Sequence, residues 1–335
     1  MSFKQFENED VIVSADSISS TVWSTDTYEL TTFFTSSTQE AASSGEYYLN
    51  VYHTGSDQAN SSTQFSIAYG HKDGLGSNVY NSNVVGKSPT ATIYGQYRSL
   101  VLGDEEQDLL FGGVTSTKGF YAISVDRARY KEKLLPGTFN ITLNDGVSEV
   151  LTLTDNSGQT STVTFTDAGR VYDIITGSNG TAYDNGTGFT TGTYIASYGK
   201  FLPDIGVILL NGQALDHRLG GLNFVTGSSV SANGINNATL FDKITSFKLN
   251  SEETISSNYV FVRVRNSEFN YSNNPSNITG SGELRHNAMV NNPQAYITSV
   301  GLYNDNNDLL GVAKLSKPLL KDFTKEALIR IKLDY

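Results

Sequence analysis

The sequence predicts a mainly β protein, built from β-sandwich-like domains with a few short helices. Apolar residues recur at every second position over short runs, clusters of Asn, Asp and Gly separate those runs, and helical spacing is confined to two stretches. Successive side chains of a strand point to opposite faces, so period-two alternation marks a strand with one face buried.

The elements follow in chain order. In "QFSIAYG" Phe65, Ile67 and Tyr69 share a face. "IYGQYRSLVL" sets Ile93, Tyr97, Leu100 and Val101 on one stripe, and "SVDRARYKEKLLPG" offers Asp126 as an N-cap with Pro136 and Gly137 as a stop. Each predicts about two helical turns. "TFNITL" alternates again through Phe139, Ile141 and Leu143, and "LNDGV" (143–147) and "TDNSGQ" (154–159) supply residues that accept positive φ. Val150–Thr154 and Thr162–Thr166 are then expected to be the two arms of one hairpin. Gly, Thr and Asn crowd 174–193 and 227–239, which predicts two long loops, ready sites for limited proteolysis. "NDNNDLL" (304–310) reads as the turn between two apolar arms, "YITSVGLY" and "LLGVAKL". "ALIRIKLDY" alternates to Tyr335, with Ile329, Ile331 and Leu333 expected to face inward and complete a sheet.

The composition shifts suggest three parts: a β-rich 1–137, an inserted β-rich domain over 138–250 containing "RVYDII" and "IGVILLN", and strands from 251–335 that return to the N-terminal domain. The absence of a fixed-period repeat argues against a propeller, solenoid or repetitive shaft.

The 335 residues include no cysteine, which rules out disulfides and thiolate metal sites. Asp and Glu number 34 against 23 Lys and Arg, a formal charge of −11, so most of the surface repels phosphate backbones and nucleic acid is not an expected partner. "MSFKQFENED" lacks an apolar core of the signal-peptide kind, and no apolar run approaches the roughly 18 residues of a membrane span. The expectation is a soluble chain without membrane insertion.

Catalytic and metal motifs are weak. His53, His71, His217 and His286 have no helical spacing or His-Glu-x-x-His pattern. Asp216 and His217 are adjacent, which on an extended chain sends them to opposite faces. The glycine-rich loop lacks the lysine of a phosphate-binding loop, and "NDNNDLL" has Leu309 and Leu310 where a calcium loop would continue its oxygen ligands. Glu105-Glu106 and Glu252-Glu253 are paired in sequence only; glycoside hydrolysis needs two carboxylates across a cleft. The sequons at 140–142 and 277–279 are expected by chance in a chain this rich in Asn, Ser and Thr. No catalytic residue, cofactor or metal is expected.

Two stretches suggest contact surfaces instead. Arg127, Arg129, Lys131 and Lys133 form a basic run interrupted by Asp126 and Glu132, a helix face or a salt-bridged subunit contact. "EFNYSNNPSN" (268–277) follows the strand-like "YVFVRVR" and sets Phe269 and Tyr271 beside turn-forming residues. It can be a hairpin tip closed on its own aromatics, an aromatic platform for sugar or base, or a docking element for another subunit. Phe269, Asn270, Tyr271, Arg127, Arg129 and Lys131 are the candidate interface residues.

The segments "YYLNVYHTGSDQANSSTQFSIAYGHKDGLGSN", "FYAISVDRARYKEKLLPGTFNITL", "YGKFLPDIGVILLNGQALD", "FVRVRNSEFNYSNNPSN" and "NPQAYITSVGLYNDNNDLLGVAKLSKPLLKDFTKEALIRIKLDY" stand together in this chain. They resemble virion structural proteins of contractile-tailed phages of the T-even type, especially those infecting marine cyanobacteria. The pairing of both chain ends is similar to the outline of a baseplate wedge protein, although that family's aromatic-rich first loop is not recognisable here. The resemblance implies a non-enzymatic structural subunit of the virion tail, made in the host cytoplasm and present in multiple copies. Its partners would be other tail or baseplate proteins, with Phe269 and Tyr271 anchored against the chain itself or a neighbour. A receptor- or glycan-binding tail module and a tail-borne glycan hydrolase are the alternatives.

Overall fold

The computed structural model describes residues 4–35, 48–75, 89–111, 115–116, 118–147, 150–182, 198–220 and 236–334. The chain forms two compact units, Ile18–Glu253 and Met1–Ser17 with Thr254–Tyr335. Its first strands are β1 (Val11–Thr21), β2 (Glu29–Leu30), β3 (Phe34–Thr35), β4 (Tyr48–Tyr52) and β5 (Thr63–His71), followed by helix α1 (Pro89–Leu102). Then come β6 (Leu110–Phe111), β7 (Thr115–Ser116), β8 (Gly119–Val125), β9 (Lys133–Leu134), β10 (Asn140–Asn144), β11 (Val150–Asp155) and β12 (Thr164–Thr166). After β13 (Gly169–Ser178), β14 (Thr181–Ala182), β15 (Gly199–Leu202) and β16 (Val207–Asn211) lie helices α2 (Gly212–Leu219) and α3 (Asn236–Phe241). The rest comprises β17 (Ile244–Lys248), β18 (Asn250–Val264), α4 (Ala288–Asn291), β19 (Ala295–Tyr303), β20 (Leu309–Lys321) and β21 (Ala327–Asp334). The fold is mainly β with short helices, as the alternation requires.

In the larger unit one antiparallel sheet runs β2-β17-β10-β11-β13-β15-β16-β8-β5-β4-β3, with β12 and β14 paired to β13. Its two ends belong to one stretch of chain: Leu30 lies opposite Phe247, and Phe34 opposite Tyr52. Residues 29–35 therefore pair with both edges, and the sheet wraps around a single core whose opposite walls face each other as sandwich layers do. Inward residues of alternating strands meet there, among them Val51, Phe65, Ile123, Ile141, Leu153, Ile174 and Ile208. The centre is aromatic. Trp23 lies 5.0 Å from Phe247, Phe65 lies 5.2 Å from Phe247, and Phe139 stacks on Phe201 at 5.2 Å. Leu215 of α2 and Leu240 of α3 belong to the same core.

Helix α1 packs outside the wrapped sheet, where Tyr94 and Val101 join Phe111, Phe120, Ala122, Val207 and Leu209. Gly70 permits its approach, since a Cβ there would sit 3.1 Å from the Tyr94 backbone nitrogen and 3.0 Å from the Phe120 ring. This contact turns Thr90, Tyr94 and Val101 inward and leaves Leu100 exposed, a rotation from the expected stripe.

Four other expectations are corrected. Asp126 does cap, accepting from Ala128 N–H at 2.8 Å, but the helix is only a 3-10 turn, Arg127–Arg129. The chain beyond is drawn into strand pairing, with Leu134 opposite Ser251 and Lys133 opposite Glu252. The expected hairpin of 150–154 with 162–166 does not form. Val150–Asp155 pairs with the preceding β10, Val150 opposite Asn144 and Thr154 opposite Asn140, and Thr164–Thr166 pairs with Gly169–Val171. Residues 138–250 are not a separate fold, because Val207–Asn211 pairs along its length with Phe120–Ser124 and makes one sheet of both segments. The residues that group with the C-terminal strands are 1–17. Much of the expected long loops, 183–193 and 227–235, lies outside the described residues, as does Tyr335.

In the smaller unit the sheet order is β1-β18-β21, and Val260, Leu302 and Ile331 form a small core with Val262, Val300, Ala313 and Ile329. Ile331 faces inward as expected and Ile329 packs against that core. Leu333 does not: it remains 39% exposed near the strand's end. The 304–310 turn joins β19 to β20, with Asn304 Oδ1 accepting from Asp308 N–H at 2.8 Å and Asn307 at φ 65°.

Substituting Phe247→Ala, which removes the ring shared by Trp23, Phe65 and Phe139, is expected to cost about 3–5 kcal/mol in chemical denaturation. Leu333→Ala should stay within about 0.5 kcal/mol. A second expectation concerns His71. Burial, with a smaller contribution from Lys118 and against the pull of Asp73, lowers its pKa from 6.5 to about 4. The unfolded chain therefore binds more protons in that window. The stability from neutral His71 is complete above about pH 6.5 and lost as pH falls towards 4, a change of about 3 kcal/mol. Stability of His71→Gln should fall less steeply over this window than that of the parent chain; equal slopes would reject this account.

Candidate interaction surface

The turn after β18 is organised from beneath by a lysine. Lys321, fully buried, donates from Nζ to the Asn266 carbonyl at 2.9 Å, Asn270 Oδ1 at 2.6 Å and the Asp322 carbonyl at 2.8 Å. A buried ammonium is tolerable only when its protons are taken up by acceptors, and here three oxygens do so. Asn270 spends its other amide group on the Asn266 carbonyl. Glu268 accepts from Arg265 N–H at 2.8 Å and pairs with Lys4 at 3.2 Å, and both interactions lower its pKa. Asn270 thus serves the turn's own geometry, whereas its aromatic neighbours face outward. Phe269 is 37% and Tyr271 53% exposed, and Phe269 sits in the left-handed region at φ 55°, an uncommon conformation for a bulky residue.

The same unit leaves other apolar side chains uncovered. One face of the β19–β20 hairpin supplies Leu302, Val300 and Ala313 to the small core. Beyond it Tyr303, Leu309, Leu310 and Val312 are exposed, and Val11, Ile12 and Val13 of β1 are exposed as well. Sequence reasoning did not single these out. A signal was present, since both hairpin arms are apolar at consecutive positions, whereas a strand covered on one face alternates.

The basic candidates belong to the larger unit. The Arg127 guanidinium donates to the Tyr130 and Lys131 carbonyls and lies 4.7 Å over the Tyr130 ring, so it clamps its own turn. Arg129 is half-buried, and Lys131 pairs with Glu253 at 2.9 Å on an exposed surface where such a pair contributes little.

Among the histidines, His71 is buried, His286 is exposed and the side chain of His217 lies outside the described residues. His53 has a partner that no sequence spacing suggested: its Nδ1 is 2.8 Å from Ser24 Oγ, which accepts from Gln64 Nε2 at 2.8 Å. The buried Gln64 also accepts from Ser24 N–H at 3.0 Å. A hydroxyl bonded to an imidazole is half of a nucleophilic site, but among the described residues no carboxylate orients His53, and the set ties the Trp23 segment to β5. Of the paired acids, Glu252 lies 3.8 Å from both Lys133 and Arg170, and Glu253 bonds Lys131. Among the described residues no three His, Asp or Glu side chains gather as metal ligands, and no helix is long and apolar enough to cross a membrane.

No protein-family model, curated protein or solved structure matches the chain.

Replacing Lys321 by Met should strand the amide oxygen of Asn270, while the Asn266 carbonyl keeps its bond from the Asn270 amide nitrogen, costing about 1–3 kcal/mol. Amide hydrogen exchange over 266–271 should rise well above that of the parent chain; unchanged protection would mean that the turn holds itself.

Proposed function

We propose that the chain is a structural subunit of a contractile phage tail, a wedge-type baseplate component, which acts by assembly with other tail proteins in multiple copies rather than by turnover. The observation that carries this reading is the uncovered apolar surface of the smaller unit: Leu310 and Val312 are 71% and 62% exposed on a hairpin whose other face is already used. Exposed apolar side chains of this kind are what subunit contacts consume. Exposed Phe269 and Tyr271, on a turn anchored by Lys321, suit the role of interface anchors because aromatic rings bury much area while fixing only two torsions. The resemblance of the quoted segments to tail virion proteins supplies the particular assembly, and symmetry would multiply modest contacts.

The decisive measurement is a reconstruction of particles carrying a tagged copy. The tag should appear at fixed sites of the tail; particles lacking it would sink the reading. In parallel, a Leu310→Asp and Val312→Asp double variant should fold and melt as the parent does, yet fail to enter particles. Incorporation at the parental level would remove the hairpin from the interface.

A further inference from the structure

The outer wall of the larger unit carries a groove of about 690 Å³, lined by Tyr48 of β4, residues of β5 and β8, and the α1 side chains Thr92, Ile93, Gln96 and Tyr97. Its shape follows from strand register. Tyr48, Ala68 and Ala122 stand in one row across three adjacent strands, and Asn50, Ser66 and Ser124 in the next such row. Small side chains at four of these positions sink the floor between Tyr48 and the helix. Tyr97 is fixed by an edge-on contact with Phe120, at 6.0 Å and 84°.

The lining chemistry restricts the ligand. Among the described residues no charged side chain lines the groove, on a chain of net charge −11, so none of them offers a phosphate or a carboxylate a counter-ion. Polar groups are nevertheless present. Among the described residues the Ser124 hydroxyl and the Gln96 amide form no side-chain hydrogen bond, and the Ser66 hydroxyl, which donates to Asn50 Oδ1 at 2.6 Å, keeps acceptor capacity. A purely apolar ligand would desolvate these groups without replacing their bonds with water. A sugar matches both kinds of surface: its C–H faces lie on tyrosine rings while its hydroxyls exchange hydrogen bonds with serine and amide. The volume falls within the roughly 300–1,000 Å³ of small-molecule sites.

We propose that this groove binds a neutral oligosaccharide through Tyr48, Tyr97, Gln96 and the serine floor. The site goes beyond the assembly reading and does not depend on it, since it uses none of the exposed residues of the smaller unit. Calorimetric titration of the full chain with malto-, cello-, xylo- and chito-oligosaccharides tests it. At least one series should bind with a micromolar to millimolar Kd, and Tyr48→Ala and Gln96→Ala should each weaken that binding about tenfold or more. Both positions are exposed, and their folding is checked by unchanged melting. Leu310→Asp serves as a control that leaves binding intact. Failure of all four series at millimolar concentration overturns the proposal, as does binding that survives both groove substitutions.

Discussion

Closure of the larger sheet depends on residues 29–35, which pair with β17 at Leu30 and with β4 at Phe34. An open sheet of this length would present two bare edges, each a template for unwanted pairing. Joining them through one segment also defines the interior, because every alternate residue of the flanking strands must then share a single space. That space is filled by rings. Phe247 touches Trp23, Phe65 and Phe139, so the strand beside the closing segment carries the residue that links the two halves of the core. Helix α1 is excluded from this interior and rests outside, over Gly70 and Phe120.

Buried polar groups organise the turns around that frame. Asp155, wholly buried, accepts from the backbone N–H of Gly137 and Ser157 within about 3.1 Å; burial raises its pKa despite those bonds. Arg170 meets Asp204 in a two-pronged contact at 2.7 and 3.0 Å, and Asp204 also accepts from Arg170 N–H. Gly169, at φ 93°, leaves the room this contact needs, since a Cβ there would fall 2.4 Å from Asp204 Oδ2. Lys321 plays the same part in the smaller unit. In each case a side chain distant in sequence completes the hydrogen bonding of a turn, which local turn chemistry alone would leave partly unmet.

The two units differ in what they leave to solvent. The larger one encloses an aromatic core and carries a groove on its outer wall. The smaller one has a core of only a few aliphatic residues and exposes more apolar side chains than it buries, among them those on β1, on the hairpin and on the 268–271 turn. A unit of that kind gains most from contact with another surface, which is the physical basis of the assembly role proposed above.

The fold class was legible because strand periodicity is local: Phe65, Ile67 and Tyr69 alternate in sequence and all face the core. The 143–147 and 304–310 turns were legible for the same reason, since their Asn, Asp and Gly residues need no distant partner. Strand partners were not. Val150–Asp155 could have paired forward or backward, and only the sheet as a whole selected β10 and β13. The helix expected after Asp126 yielded to pairing of Lys133 and Leu134 with residues more than a hundred positions away. Of the candidate surface, the exposed aromatics at 269 and 271 were visible in sequence. The structural task of Asn270 was not, because the lysine that demands it lies at position 321. By itself the sequence determined which residues seek burial and where the chain can turn. Tertiary structure decided which strands meet, which apolar faces stay uncovered and which small residues line up into a groove, because those outcomes depend on register between segments that no local preference encodes.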